Sequence, residues 1–300
     1  MTLPLQPPLI VHHMGALDSG QRFPQNSFET VRASLEHGAA FVEVDITALS
    51  QDDYLLVHDP VLESETDGTG KVAETSPQDA DALRYKGTSV RVPVLSEIVA
   101  LFADYPDARL QLDFKNTTPL ESDEPLQRLV QLVEPLGRRV IISSEADWQL
   151  RRLQKLSPAL DLGFDIHFYM DWHDTSYTRK PDDVPQKLGA YGYYDDHPLA
   201  SRRIWSIVEY LADRCQSMLG LVPDASTFYI NHRFLVQSLD EGFNWAAALH
   251  EAGIRCDAWT MDIGVGNPAA EANAKRLLEA GVDQFTTNTP VALREFLGLP

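Results

Sequence analysis

Glu43-Val44-Asp45 and Asp113-Phe114-Lys115 each set two charged side chains on alternate positions of an otherwise apolar run. Side chains two apart on a strand share a face, so each pair can aim both members into one cavity. Carboxylates turned into a packed interior require a partner or a shifted pKa, and a cation is such a partner. Three carboxylates, completed by waters and substrate oxygens, suit Mg2+ or Ca2+ rather than a soft metal. No Cys/His set has the spacing of a tetrahedral zinc site. His13, in Ile10-Val11-His12-His13-Met14-Gly15, and His58, in Leu55-Leu56-Val57-His58-Asp59-Pro60, add two groups that titrate near neutrality. One can remove a proton while the other donates one to a leaving oxygen. Lys115 can neutralise a phosphoryl oxygen as charge builds. The chemistry implied is that of an enzyme using a divalent cation on a phosphorylated substrate.

Each residue also has a plainer reading. Glu43 and Asp45 can be salt-bridged strand-end charges, and Lys115 can be no more than the ion-pair partner of Asp113. His13 can be a hydrogen-bonded barrel residue, and His58 can cap its loop through Asp59. His12 should face away from His13 if the strand persists, which makes it structural. In Pro24-Gln25-Asn26-Ser27 either Asn26 or Ser27 can cap the first helix; Asn26 can also orient His13 or touch substrate. Trp259, at the end of Ala258-Trp259-Thr260-Met261-Asp262, is an apolar substrate wall or a packing residue. Asp262, Glu145, Asp165, His167 and His232 lie near strand ends without a specific case for chemistry. Gly264-Val265-Gly266 lacks the larger pattern that a phosphate-binding glycine loop requires.

The elements that must position these groups alternate. Strands are expected at Leu9–Val11, Phe41–Ile46, Arg109–Phe114, Val140–Ser143, Asp161–Phe164, Thr227–Ile230, Arg255–Trp259 and Asp283–Thr286. Several are near-continuous apolar runs, as parallel strands covered by helices are. Helices are expected at Ser27–His37, Val94–Phe102, Leu126–Leu136, Trp148–Lys155, Ser201–Leu219, Leu239–Ala252 and Ala269–Ala280, several ending in Gly. Eight alternations predict a closed (β/α)8 barrel, a TIM barrel, over a doubly wound sheet. His13, Glu43, Asp45, Asp113 and Lys115 all fall near C-terminal strand ends, where barrel sites converge. Two stretches break the rhythm. Residues 52–91 read as an excursion after the second strand, with a short strand at Tyr54–Val57 and then loop signals. His167–Pro198 has no stable period, and long irregular loops often bind substrate.

The whole chain, 1–300, reads as one domain, with no internal repeat or dividing linker. Its net charge of −19, from 25 basic and 44 acidic residues, excludes a nucleic-acid partner over most of the surface. No apolar run is long enough to cross a bilayer. Met1 to Pro8 has neither a basic residue nor an apolar core of signal-peptide length, so a cytoplasmic location is expected if the sequence starts at its natural start. Cys215 and Cys256 form neither a metal-ligand spacing nor a disulfide framework.

In order along the chain, His13-Met14-Gly15, Pro24-Gln25-Asn26-Ser27, Glu43-Val44-Asp45, His58-Asp59 and Asp113-Phe114-Lys115 resemble the signatures of the glycerophosphodiester phosphodiesterase family. Trp259-Thr260 and the stretch from Gly281-Val282-Asp283 to Asn288-Thr289-Pro290 extend the likeness. The resemblance implies the same barrel with its excursion and metal ligation by Glu43, Asp45 and Asp113. It also implies acid–base roles for His13 and His58 and phosphate contact by Lys115. The implied reaction is hydrolysis of a glycerophosphodiester to glycerol phosphate and an alcohol, by water or through a cyclic phosphate. Lysophospholipids are possible further substrates. Three positions depart from the family's usual pattern: Met14 stands for Arg, Gln25 for Glu, and Asp113 for Glu. The chain also resembles phospholipase D-like and sphingomyelinase D-like enzymes in His13-Met14 and Asp113-Phe114-Lys115. A non-catalytic phosphoester-binding barrel is the alternative of a different class. Oligomeric state is not legible.

Overall fold

Alternation of polar and apolar residues along the second strand sets the architecture. A computed structural model describes residues 7–18, 22–171, 205–264 and 269–299. Its strands are β1 (Leu9–His12), β2 (Phe41–Ala48), β3 (Tyr54–Leu55), β4 (Arg109–Phe114), β5 (Val140–Ser144), β6 (Asp161–Asp165), β7 (Thr227–Asn231), β8 (Arg255–Trp259) and β9 (Gln284–Thr287). All but β3 are parallel, in the order β1-β9-β8-β7-β6-β5-β4-β2, and β1 pairs with β2 to close the ring. β3 runs antiparallel against the end of β2. The fold is the expected (β/α)8 barrel with an excursion after the second strand.

Val42, Val44 and Ile46 belong to the apolar layer between barrel and helices, as do Leu110, Leu112 and Phe114 of β4. Phe41 belongs to a separate interior cluster with Val11, Ile141 and Tyr229. By the period of two, Glu43 and Asp45 share the interior face with Phe41, and Asp113 shares it with Gln111. The middle of the barrel is filled rather than hollow. A Cβ on Gly163 would come within 2.3 Å of the Tyr229 ring, so the missing side chain on β6 is what admits Tyr229.

Helix boundaries follow local chemistry, with three departures from expectation. The run expected at Leu239–Ala252 is two helices, His232–Asp240 and Trp245–Glu251. Gly242, at φ +93°, turns the chain between them, and the Asn244 side chain accepts from Ala247 N at 3.1 Å to start the second. The helix expected over Leu126–Leu136 ends at Val133. Pro135 supplies no N–H, and the chain tightens into a 3-10 segment over Glu134–Arg139. The helix expected over Ser201–Leu219 runs Ile207–Leu221, opened by a Ser206–Glu209 capping box; residues 201–204 lie outside the described residues.

Residues 52–91 hold more order than their loop signals imply. The strand expected at Tyr54–Val57 stops at Leu55, but a helix at Pro77–Ala82 follows, capped by Ser76. Leu49, Leu55, Val57, Leu62, Val72 and Tyr85 are part of a small core of their own. The Tyr85 hydroxyl lies 2.9 Å from the carbonyl oxygens of both Asn26 and Leu56, tying the excursion to the barrel mouth. The stretch His167–Pro198 is described only to Asp171, and Val265 and Gly266 also lie outside the described residues. Among the described residues no helix is long and apolar enough to cross a membrane. Both cysteines are buried and free.

Candidate active site

The parallel register of β2 and β4 pairs Glu43 with Gln111 and Asp45 with Asp113. Adjacent strands lie under 5 Å apart, so the register alone brings two carboxylates side by side and a third one turn of the pleat below. One ligand oxygen from each of Glu43, Asp45 and Asp113 lies within 4.8 Å of the others. Glu43 and Asp45 are 2% and 1% exposed, while Asp113 is partly open to solvent. Glu43 Oε2 accepts from the Met14 backbone N–H at 2.8 Å. Burial, then the charges of Asp45 and Asp113, hold the Glu43 carboxyl well above the usual range.

Lys115 faces this group from the position after β4. Its Nζ donates to Asp113 Oδ2 at 2.6 Å and lies 3.2 Å from Asp45 Oδ1. Burial by itself lowers the lysine pKa, but Asp113, Asp45 and Glu43 together raise it well above its ordinary value. One ammonium does not satisfy three carboxylates. Glu43 Oε1 and Asp45 Oδ2 are buried without a hydrogen-bond donor, and Asp45 Oδ1 has only the Lys115 ammonium at 3.2 Å. Buried acceptors left this way cost free energy, and oxygen atoms in such a set match the preference of a hard divalent cation. The residues therefore fit such an ion.

His13 opens the segment after β1, in a 3-10 turn whose Met14 sits in the left-handed region at φ +51°. That conformation is uncommon for a side chain of this size, and it turns the Met14 N–H onto Glu43. His13 Nε2 lies 3.9 Å from Glu43 Oε2, and Nδ1 lies 2.9 Å from Asn288 Oδ1. His12 points away, as expected, with Nδ1 2.7 Å from Ser34 Oγ; burial lowers its pKa to about 4. His58 reaches the same mouth from the excursion, because β3 folds back along β2 and Thr47 Oγ1 donates to Val57 O at 3.0 Å. Its Nδ1 lies 2.9 Å from Asp59 Oδ1. Glu65 Oε1 accepts from the backbone N–H groups of His58 and Asp59, at 2.7 and 2.9 Å. His58 itself is exposed.

Two expected substrate contacts differ in kind. Asn26 is fully buried and its amide makes a reciprocal pair with the Asp45 backbone, accepting from N and donating to O at 3.1 Å each. Its polar atoms are spent on holding β2, so it positions Asp45 and leaves the helix cap to Ser27, whose Oγ accepts from Thr30 N. Trp259, at the end of β8, is partly buried with its ring edge-to-face on His167 at 5.6 Å. His232 is buried, with Nδ1 3.2 Å from Trp259 O, and serves packing. Asp165 accepts from the His167 N–H at 2.9 Å; burial, with Glu145 and Asp113 nearby, raises its carboxyl pKa. Gln25, Asp262 and Asn288, to which the sequence assigns no firm role, form a chain that ends on His13 through Asn288. Gln25 Nε2 donates to Asn288 Oδ1 at 2.7 Å, and Asn288 Nδ2 donates to Asp262 Oδ2 at 2.9 Å. The Asn288-Thr289-Pro290 signature was the available signal, but it carries no hint of a partner 275 residues away.

The sequence matches the profile of the "Glycerophosphoryl diester phosphodiesterase family" over residues 19–292. It is 22% identical to a glycerophosphodiester phosphodiesterase of Caldanaerobacter subterraneus subsp. tengcongensis, over 95% of this chain and 96% of that one. The fold resembles the crystal structure of a candidate glycerophosphodiester phosphodiesterase from Galdieria sulphuraria with a TM-score of 0.68 and 21% identity, covering 98% and 99% of the two chains. It also resembles an Oleispira antarctica phosphodiesterase in complex with the product sn-glycerol-3-phosphate, with a TM-score of 0.63 and 18% identity over 97% of each chain.

Proposed function

This chain belongs to the glycerophosphoryl diester phosphodiesterase family, and we propose that it hydrolyses glycerophosphodiesters to glycerol phosphate and an alcohol with the help of Mg2+ or Ca2+. The observation that carries the metal requirement is the set of buried carboxylate oxygens without donors on Glu43 and Asp45. Glu43, Asp45 and Asp113 would hold the ion, whose contribution when bound is positive charge against the phosphoryl oxygens. The Oleispira relative has sn-glycerol-3-phosphate as its product, which supports the same phosphate product here.

The protein's own groups divide the remaining work. His13 and His58 form the acid–base pair: one takes the proton of the attacking hydroxyl while the other delivers a proton to the leaving alcohol oxygen. The attacking hydroxyl belongs to water or to the neighbouring glycerol carbon; in the second case water then opens the cyclic phosphate. Lys115 contacts a phosphoryl oxygen with the ammonium that otherwise pairs with Asp113 and Asp45. Trp259 forms an apolar wall, and Asn26 keeps Asp45 in place. Residues 1–300 act as one domain in this proposal, and 52–91 supplies His58. A cytoplasmic location and lysophospholipids as further substrates go with it, to be checked by cell fractionation and by the assay below.

A panel of glycerophosphodiesters and lysophospholipids, assayed with Mg2+, with Ca2+ and with chelator, tests the proposal. Glycerol phosphate released only with a divalent ion is the expected result. A cyclic phosphate as end product would assign the phospholipase D-like chemistry instead. Tight binding of diesters without turnover would leave a phosphoester-binding barrel.

A further inference from the structure

The Asn288 side chain meets the ring of His13 while Asp262 and Gln25 both hold the Asn288 amide, and the donor and acceptor chemistry of the set leaves a single consistent arrangement. The Asp262 carboxylate follows β8. Its Oδ1 accepts from the Asn288 backbone N–H at 2.7 Å and from Thr287 Oγ1 at 2.9 Å, and its Oδ2 accepts from Asn288 Nδ2 at 2.9 Å. An ionised carboxylate only accepts, so the NH2 end of the Asn288 amide must face Asp262. The amide oxygen then faces His13 Nδ1 at 2.9 Å and Gln25 Nε2 at 2.7 Å. An amide oxygen also only accepts. The proton of a neutral His13 ring is therefore on Nδ1, and the lone pair is on Nε2, the atom 3.9 Å from Glu43 Oε2 at the carboxylate cluster.

We propose that Asp262, Asn288 and Gln25 are positioning residues that fix His13 in its Nδ1–H tautomer, so that Nε2 is the atom that takes and gives the proton. The inference rests on the reading of His13 as a proton-transfer group. A free imidazole favours the opposite tautomer, with the proton on Nε2, which would present an N–H where a base needs a lone pair. When Nε2 takes a proton, the Nδ1–H bond to Asn288 becomes charge-assisted and shortens. Gln25 adds a second donor to the same oxygen. This gives a physical role to a position at which the chain departs from the family's usual Glu. A carboxylate in its place could not donate, and it would face the Asn288 oxygen as a second acceptor.

Histidine 15N resonances test this on the full-length protein, with His13 assigned by its loss in His13→Gln. At a pH where the ring is neutral, wild-type His13 is expected to show Nδ1 protonated and Nε2 unprotonated. Asp262→Asn frees the Asn288 amide to turn over. It is expected to move His13 towards the Nε2–H form and to lower kcat about tenfold or more, with KM within about twofold. Gln25→Glu should move the same resonances in the same direction by less. An Nε2–H tautomer in the wild-type protein overturns the proposal without any variant having to fold. A fall in kcat without a change of tautomer, or a change of tautomer without a fall in kcat, overturns it as well. Failure of the underlying reading is separate: His13→Ala would then keep its turnover while the wild-type tautomer stayed as described.

Discussion

The two ends of the barrel treat charge in opposite ways. At the N-terminal end Arg109 and Arg255 both face Asp161, at 3.5 and 3.7 Å, and the Arg109 guanidinium lies over the Phe41 ring at 4.6 Å. Nearby, Asp283 accepts from His250 Nε2 at 2.8 Å and from the Cys256 N–H at 2.7 Å. Donors meet acceptors, and the strands are held closed. At the C-terminal end Glu43, Asp45 and Asp113 share one ammonium and keep buried oxygens without donors. A fold can hold such a deficit only where the rest of the structure fixes it. Here Met14 and Asn26 do so, one backbone N–H on Glu43 and one amide pair on Asp45. The satisfied end is the place to look for stability, and the deficient end for function.

Substitutions at the two ends should therefore separate activity from stability. The largest expected effect is on turnover: His13→Ala or His58→Ala should lower kcat by roughly a hundredfold or more, with the melting temperature nearly unchanged for exposed His58. Kinetics beside thermal melts check this, and a loss below about tenfold for both would sink the acid–base assignment.

Next in size is Lys115→Met. Removing the ammonium leaves the buried Asp45 carboxylate without its ion-pair partner, and breaking a buried pair costs about 3–5 kcal/mol. In chelator the variant should melt well below wild type. Added Mg2+ or Ca2+ should recover most of the difference, since an ion bound only to the folded state stabilises it. Recovery by NaCl alone, at matched ionic strength, would argue against a site for a divalent ion.

Arg109→Met, at the opposite end, should cost about 1–3 kcal/mol in denaturant unfolding, because Asp161 loses one of two cations. Its kcat/KM should stay within about twofold of wild type. An activity loss like that of the histidine variants would erase the distinction between the ends.

A pH-dependent effect, smallest at about pH 4, is expected in the layer between them. Asp257 is fully buried, takes a hydrogen bond from Thr286 Oγ1 at 2.8 Å, and burial raises its pKa from 3.8 to about 8. The folded state thus keeps a proton that the unfolded chain has already released. Its stabilising contribution is complete below pH 3.8 and is lost as pH rises through about 8. Asp257→Asn should flatten that part of the stability–pH curve while leaving stability near pH 4 little altered. A slope unchanged by the substitution would contradict the raised value.

Much of the barrel was legible because β2 and β4 write their inward and outward residues on alternate positions. The carboxylate cluster was legible for the same reason, since register converts two short patterns into one site. What stayed hidden depends on closure or on distance along the chain. Nothing in Asn288 announces that β9 lies beside β1, so the grip of Asp262 and Asn288 on His13 could not be read. Asn26 looked like a substrate contact because its partner is the backbone of Asp45, which carries no sequence signal. In sequence Gly242 is one glycine within an apolar helical pattern, although with Asn244 behind it the pair ends one helix and starts another. The order within 52–91 escaped because its small core is scattered over short, irregular pieces rather than one period.

On the function proposed above, the C-terminal mouth binds a divalent ion through Glu43, Asp45 and Asp113. Isothermal titration of chelator-treated protein with Mg2+ and with Ca2+, repeated on Asp45→Asn, tests it most directly. One saturable site in the wild-type protein, abolished or weakened at least about tenfold in Asp45→Asn, is the result expected. No saturable binding of either ion, or binding that Asp45→Asn leaves unchanged, would contradict it.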